Sequence, residues 1–165
     1  NSAFCNTEPI IILRERNMFK TILIPTDLSP KAAMAIKKAV QLAGLFHAKI
    51  ILLNVHEEFM NKEEMIMSRV SVGKMQKTFK DISIKAKIEI SHLIKDLDGM
   101  DIKTNIILKE GKASQEIINI INQMEPDLLI MGSNGKDSIG DYILGTTTDH
   151  VVDNSKCPVL VIPNI

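Results

Sequence analysis

The sequence predicts a single α/β domain built on an open, doubly wound parallel sheet of five strands, with helices on both faces. Three observations lead to this fold class. Short aliphatic runs alternate with longer amphipathic segments, which is typical of repeated strand–helix–strand units. Connections between parallel strands are nearly always right-handed, so such units wind into an open sheet. The 165 residues are 45% hydrophobic, which is enough for one domain with one core.

Five short apolar runs are the predicted strands. They lie at residues 21–24, 50–55, 104–108, 127–131 and 159–162. Runs that are apolar throughout are typical of strands covered on both faces of a parallel sheet. The last run is bracketed by Pro158 and Pro163. Because proline is tolerated at strand ends and sheet edges, we expect this strand at an edge.

Amphipathic segments between these runs are the predicted helices. Ser29-Pro30 places a capping hydroxyl before a proline at the first helical position, and the helix should continue to about Phe46. A long helix is predicted over 73–97, a third is capped by Ser114, and a short one follows Gly145. The predicted inner faces of the first, third and last helices carry Ala33, Ile36, Val40 and Ala43; Ile117, Ile121 and Met124; and Val151 and Val152, respectively.

Composition excludes several classes of function. Twenty basic residues balance twenty acidic ones, so no overall field exists to attract a nucleic acid, and with 4% aromatic residues a base-stacking surface is not expected. The longest apolar run, 32–36, is far shorter than the roughly 20 residues that span a bilayer, and no signal segment opens the chain. Cys5 and Cys157 have no metal-binding spacing. We therefore expect a soluble, cytoplasmic protein without a metal site of its own.

The first seventeen residues show neither helical nor strand periodicity clearly, and the regular pattern begins at Met18. Residues 1–17 are interpreted as an extension: an added edge strand, a disordered arm, or residues upstream of the natural start. The domain is accordingly assigned to residues 18–165.

Two polar features follow predicted strands, and the second of them suits a phosphate-bearing ligand. Asp27 ends the first strand, and a glycine-rich loop, Gly132-Ser133-Asn134-Gly135, opens directly after the fourth. In doubly wound sheets, ligands bind at the carboxyl ends of strands where the winding reverses. Glycines let backbone amides approach an anion and allow positive φ angles, and the helix start at 145–148 adds free N–H groups. The alternative is that these segments are ordinary strand-to-helix turns, with Asp27 as a turn residue.

The charges within the loop are few. Lys136 is opposed by Asp137 and Asp141, so affinity for phosphate must come mainly from backbone amides and hydroxyls. The two aspartates are candidates for holding a Mg²⁺ brought by a nucleotide, or they face solvent. For hydrolysis, His150 and Asp141 are the candidate water-aligning groups, and neither is convincing. At most a weak hydrolysis of a phosphate-bearing ligand is expected, and no catalytic residue is assigned.

Three motifs resemble the universal stress protein family over residues 18–163. The opening segment 19–27 and the closing segment 156–162 are similar to that family. The glycine pattern G-x2-G-x9-G-[ST] is met by Gly132, Gly135, Gly145 and Thr146. Because the complete pattern is present, the chain resembles the branch of the family that binds ATP.

This resemblance implies a strand order of 3-2-1-4-5, a homodimer formed through the strand at 159–162, and a role in stress response. It also implies a nucleotide site at the crevice between the first and fourth strands, with Asp27 on the ribose and Val55 on the adenine. The complete set of implied nucleotide-binding residues is Pro25, Thr26, Asp27, Val55, Met131, Gly132, Gly135, Gly145, Thr146 and Thr147.

Three functions are consistent with these observations. The first is an ATP-binding regulatory protein in which the nucleotide acts as a switch. The second is a slow ATPase or nucleotide-transforming enzyme. The third is a dimeric interaction protein that binds no nucleotide, and the intact glycine pattern argues against it.

Overall fold

A computed structural model of the chain describes residues 18–56, 102–133 and 144–163, together with six helical positions between 81 and 95. Three predicted features lie outside these residues: the 1–17 extension, the apolar face of the 73–97 helix and most of the glycine loop. The described positions of that helix (Asp81, Ile84, Ile88, Ser91, His92 and Lys95) are all exposed.

Five strands and three helices have both ends within the described residues. In chain order they are β1 (Thr21–Thr26), α1 (Pro30–Phe46), β2 (Lys49–His56), β3 (Thr104–Glu110), α2 (Ala113–Met124), β4 (Leu128–Gly132), α3 (Thr146–Asn154) and β5 (Val159–Ile162). The strands form one sheet in the order β3-β2-β1-β4-β5, and every neighbouring pair is parallel. The predicted fold class and strand order are confirmed, and β5 lies at an edge of the sheet.

The sheet separates two hydrophobic clusters, because successive side chains of a strand point to opposite faces. One cluster joins α1 to one face of the sheet and includes Ile22, Ile24, Ile36, Val40, Ile50, Leu52 and Ile130. The other joins α2 and α3 to the opposite face and includes Leu23, Ile51, Leu53, Ile117, Ile121, Leu129 and Val151. The three central strands are thus covered on both sides, as their largely apolar runs predict.

The start of α1 follows the predicted cap. The Ser29 hydroxyl accepts a hydrogen bond from the N–H of Ala32 at 3.1 Å, and proline occupies the first turn. The predicted inner face is confirmed except at Ala33, which is half-buried. Ala35 and Ala39 are also buried, next to Ile36 and Val40. The buried face of α1 is therefore wider than a spacing of three and four residues suggests.

The predicted cap of α2 is wrong. The helix begins at Ala113, its N-cap is Lys112, and Ser114 is a buried residue inside the first turn. The cause is Gly111, whose φ of 145° turns the chain so that the helix begins directly afterwards. The N–H groups of Gln115 and Glu116 both donate to the Lys112 carbonyl at 3.0 Å.

Two predicted core residues are exposed. Met124 is 41% exposed because it is the last residue of α2, and Ile120 is buried on the inner face instead. Val152 is 42% exposed, whereas Val151 is fully buried. Adjacent residues of a helix lie about 100° apart, and in α3 it is Val151 that faces the sheet while Val152 is turned toward solvent.

Asp127 connects the amino end of β1 to β4. Its Oδ2 accepts hydrogen bonds from the N–H groups of Lys20 at 2.9 Å and Thr21 at 2.8 Å. Its own N–H donates to the Thr21 carbonyl at 3.0 Å. Asp127 therefore fixes the start of the β1–β4 pair. It lies just before β4, whereas the apolar run at 127–131 predicts it as the first residue of that strand.

Replacing Asp127 with alanine should lower the free energy of unfolding by about 1–2 kcal/mol, because two backbone N–H groups lose a charged acceptor at a partly exposed site. Urea unfolding followed by circular dichroism measures this difference. The control is Asp153→Ala, which removes an exposed carboxylate of α3. Equal stabilities for the two variants would contradict the role given to Asp127.

Candidate nucleotide site

The carboxyl ends of β1 and β4 do not pair, although both strands continue to the same edge of the sheet. Between β1 and β2 the register extends to Thr26 and Asn54. Between β1 and β4 it ends at Leu23 and Leu129, three residues before each strand ends. A gap therefore lies between these fully described strands at the point where the winding of the sheet reverses, which is where ligands bind in such sheets.

Pro25 explains why the pairing ends. Successive residues of a parallel strand direct their backbone groups alternately to the two neighbouring strands. The carbonyl of Thr21 accepts from Asp127, so the odd-numbered residues of β1 face β4. Residue 25 would donate the next N–H to β4, and proline has none. Pro25 therefore removes a donor at the point where the pairing ends.

The glycine loop leaves β4 and returns to it. At the return, the N–H of Gly145 donates to the Ser133 carbonyl at 2.8 Å. One turn later, the hydroxyl of Thr148 donates to the Gly132 carbonyl at 3.0 Å. These two bonds place the start of α3 directly beside the end of β4 and hence at the β1–β4 gap.

The first turn of α3 has no side-chain cap. Gly145 is the N-cap residue, and no side-chain cap hydrogen bond is made at this helix start among the described residues. Its φ and ψ of −68° and 155° are open to any residue. Thr146 is exposed and Thr147 half-buried. Free N–H groups and the helix dipole make such an end favourable for an anion.

A tightly bonded turn carries Asp27 at the end of β1. The Thr26 hydroxyl accepts from the N–H of Leu28 at 3.1 Å, and Asp27 Oδ1 accepts from the N–H of Ser29 at 2.9 Å. Leu28 has a φ of 59°, which is unfavourable for a bulky side chain. Asp27 is thus a turn residue, as the alternative interpretation has it, and the ribose role remains a prediction.

The other predicted contacts lie at the same edge. Val55 is one residue beyond the Thr26–Asn54 pair, is half-buried, and packs against the cluster beneath α2 and α3. Met131 belongs to that cluster and is 5% exposed, while Gly132 is half-buried. The structure thus brings together at one edge all the predicted site residues except Gly135, which lies outside the described residues.

Three buried polar side chains at this edge were missed by the sequence analysis. They are Asn54, Ser133 and Thr148, with exposed fractions of 2%, 7% and 3%. Asn54 Oδ1 and Ser133 Oγ are buried and have no hydrogen-bond partner among the described residues. For Asn54, the signal was present: a lone amide follows four apolar residues of the same strand, and its burial requires a partner.

The candidate magnesium ligands, Asp137 and Asp141, lie outside the described residues. Within the described part of the chain, no group of three His, Cys, Asp or Glu side chains could hold a metal ion. His150 is exposed on α3, and Cys157 is a partly buried free thiol. No helix among the described residues is both long and apolar enough to span a membrane.

Comparison with known proteins agrees with this architecture. The universal stress protein MJ0577 of Methanocaldococcus jannaschii is 32% identical over 154 residues, which cover 88% of this chain and 95% of the relative. The solved structure of MJ0577 superposes with a TM-score of 0.70 at 31% identity, covering 88% of this chain and 96% of that one.

Two further structures share the fold at lower identity. A universal stress protein in complex with cAMP has a TM-score of 0.64 at 20% identity, covering 89% of this chain and 98% of that chain. A universal stress protein from Archaeoglobus fulgidus in complex with dAMP has a TM-score of 0.57 at 12% identity, covering 88% and 98%. The universal stress protein family itself is matched over residues 18–163. The chain therefore belongs to the universal stress protein family.

Proposed function

We propose that this chain is an ATP-binding regulatory protein of the stress response, in which the nucleotide occupies the β1–β4 gap and acts as a switch. The observation that carries the proposal is the uncapped start of α3 beside that gap, joined to β4 by the bond between Gly145 and Ser133 at 2.8 Å. A triphosphate needs several N–H donors at one place, and the first turn of this helix offers them.

The residues around the gap fit an adenine nucleotide. The phosphates are assigned to the glycine loop and the start of α3, the ribose to Asp27, and the adenine to the backbone at Val55. Pro25 and Thr26 line the pocket beside Asp27, and Met131 and Gly132 form its side along β4. The phosphate group comprises Gly135, Gly145, Thr146 and Thr147, with Mg²⁺ as a companion ion of the nucleotide. Net charge is zero, so backbone dipoles rather than cationic side chains supply the attraction.

The relatives support the same ligand class. Proteins of this fold have been solved with cAMP and with dAMP, both of which carry adenine, a sugar and a phosphate. We assign nucleotide binding to one domain at residues 18–165, with residues 1–17 as an extension outside it. The switch acts by ordering the loop at 132–146 and so altering a homodimer formed through β5 in the cytoplasm.

Identification of the nucleotide in the purified full-length protein tests this function directly. The protein is denatured, and the released small molecules are identified by mass spectrometry. Equilibrium dialysis with ATP, with and without Mg²⁺, then measures affinity. We expect an adenine nucleotide to be released and ATP to bind, whereas no binding at millimolar ATP would overturn the proposal. Production of ADP and phosphate by the bound protein would instead support the slow ATPase.

A further inference from the structure

Asn54 is a buried amide that joins the end of β2 to the end of β1. Its side chain is 2% exposed, and its Nδ2 donates to the Thr26 carbonyl at 2.7 Å. The preceding buried residues of the strand, 50–53, are all apolar. Asn54 is therefore a buried polar residue that follows four apolar ones, and it lies at the edge of the sheet that carries the candidate site.

The orientation of the amide is fixed by its partner. A carbonyl can only accept, so Nδ2 must point to Thr26, and Oδ1 points away from it. Oδ1 is buried and has no hydrogen-bond partner among the described residues. A leucine would fill a similar volume without leaving a buried acceptor. What the amide gains over leucine, among the described residues, is its bond to Thr26.

Thr26 is the first residue of the turn that carries Asp27. The turn is held by the bonds from Leu28 to Thr26 and from Ser29 to Asp27, and it includes the unfavourable φ of 59° at Leu28. A backbone in such a conformation persists when surrounding contacts determine it strongly. The bond from Asn54 anchors this turn from the neighbouring strand.

We propose that Asn54 is a positioning residue of the nucleotide site: by holding Thr26, it fixes the direction in which Asp27 meets the ribose. This inference rests on the proposed function, in which Asp27 binds the sugar and α3 binds the phosphates. The turn and the start of α3 belong to different elements. Loss of Asn54 should therefore weaken recognition of the nucleoside while leaving recognition of the phosphates unchanged.

The test compares ATP with inorganic tripolyphosphate as ligands of the full-length protein. In Asn54→Leu, ATP affinity should fall about five- to tenfold, since one neutral hydrogen bond is lost, and tripolyphosphate affinity should not change. Asn105→Leu, the same substitution at an exposed position of β3, is the control and should bind both ligands normally. An equal loss for both ligands, or wild-type ATP affinity in Asn54→Leu, would overturn the proposal.

A double-mutant cycle with Asp27→Ala separates positioning from general damage. If Asn54 acts through Asp27, then Asn54→Leu should weaken ATP binding much less in the Asp27→Ala background than in the wild type. Fully additive losses would contradict this coupling and would indicate an effect on Val55 or on the core.

Hydrogen exchange in the ligand-free protein separates failure of this inference from failure of the proposed function. The N–H groups of Leu28 and Ser29 are bonded within the turn, so their exchange reports its order. Both should exchange faster in Asn54→Leu and normally in Asn105→Leu. Unchanged exchange in Asn54→Leu overturns the positioning role, whether or not ATP binds. Absence of ATP binding by the wild type overturns the proposed function and with it the role of Asn54 in nucleotide binding, whereas the exchange rates still show whether Asn54 orders the turn.

Discussion

Replacing Gly145 with aspartate is expected to abolish ATP binding while leaving the domain at least as stable as the wild type. Aspartate is among the best N-cap residues, and the φ and ψ of Gly145 suit it, so the helix should gain stability. Its carboxylate would accept from the N–H groups proposed for phosphate and would also repel that anion. Losing two charge-assisted hydrogen bonds, each worth about 1.5–3 kcal/mol, weakens affinity on the order of a hundredfold or more.

Isothermal titration with ATP and a thermal unfolding curve measure these two opposite effects on the same variant. Gln115→Glu is the control, since it adds the same charge to the exposed first turn of α2, away from the gap. It should stabilise slightly and bind ATP normally. Wild-type ATP affinity in Gly145→Asp would exclude the start of α3 as the phosphate site.

Leu23→Ala is expected to cause a large loss of stability, about 2–5 kcal/mol in the free energy of unfolding. Leu23 is fully buried at the centre of β1, and its register partners Ile51 and Leu129 are almost fully buried as well. The surrounding strands are paired on both sides, so they have little freedom to close the cavity. For a domain of ordinary stability, about 5–15 kcal/mol, this is a substantial fraction of the total.

Chemical denaturation monitored by circular dichroism gives this value. Leu45→Ala is the matched control, because Leu45 is 69% exposed on α1 and its truncation should change stability by less than about 0.5 kcal/mol. Similar losses in both variants would contradict the assignment of Leu23 to the core.

The fold could be predicted because its determinants are local and repeated. Apolar runs of four to six residues identify strands buried on both faces, and the Ser29-Pro30 pair identifies a helix start within the same few residues. Where a helix start depends on the backbone of a preceding residue, prediction failed. Ser114 has a suitable side chain, but the turn at Gly111 begins the helix before it.

Contacts between distant residues could not be predicted in this way. Asp127 accepts from residues 106 and 107 positions earlier in the chain, and Asn54 donates to a carbonyl 28 positions earlier. Periodicity and spacing carry no information about such pairs until the order and register of the strands are known. The positions of the predicted site residues followed from strand order, whereas the side chains that hold those positions became visible only in the structure.

Pro25 affects the free energy of binding at the gap between β1 and β4. Because proline has no N–H, a ligand that enters there does not have to displace a hydrogen bond donated by residue 25. The missing donor is a property of the covalent chain and does not depend on a bound ligand. We therefore expect the ordering that accompanies binding to occur in other segments of the chain.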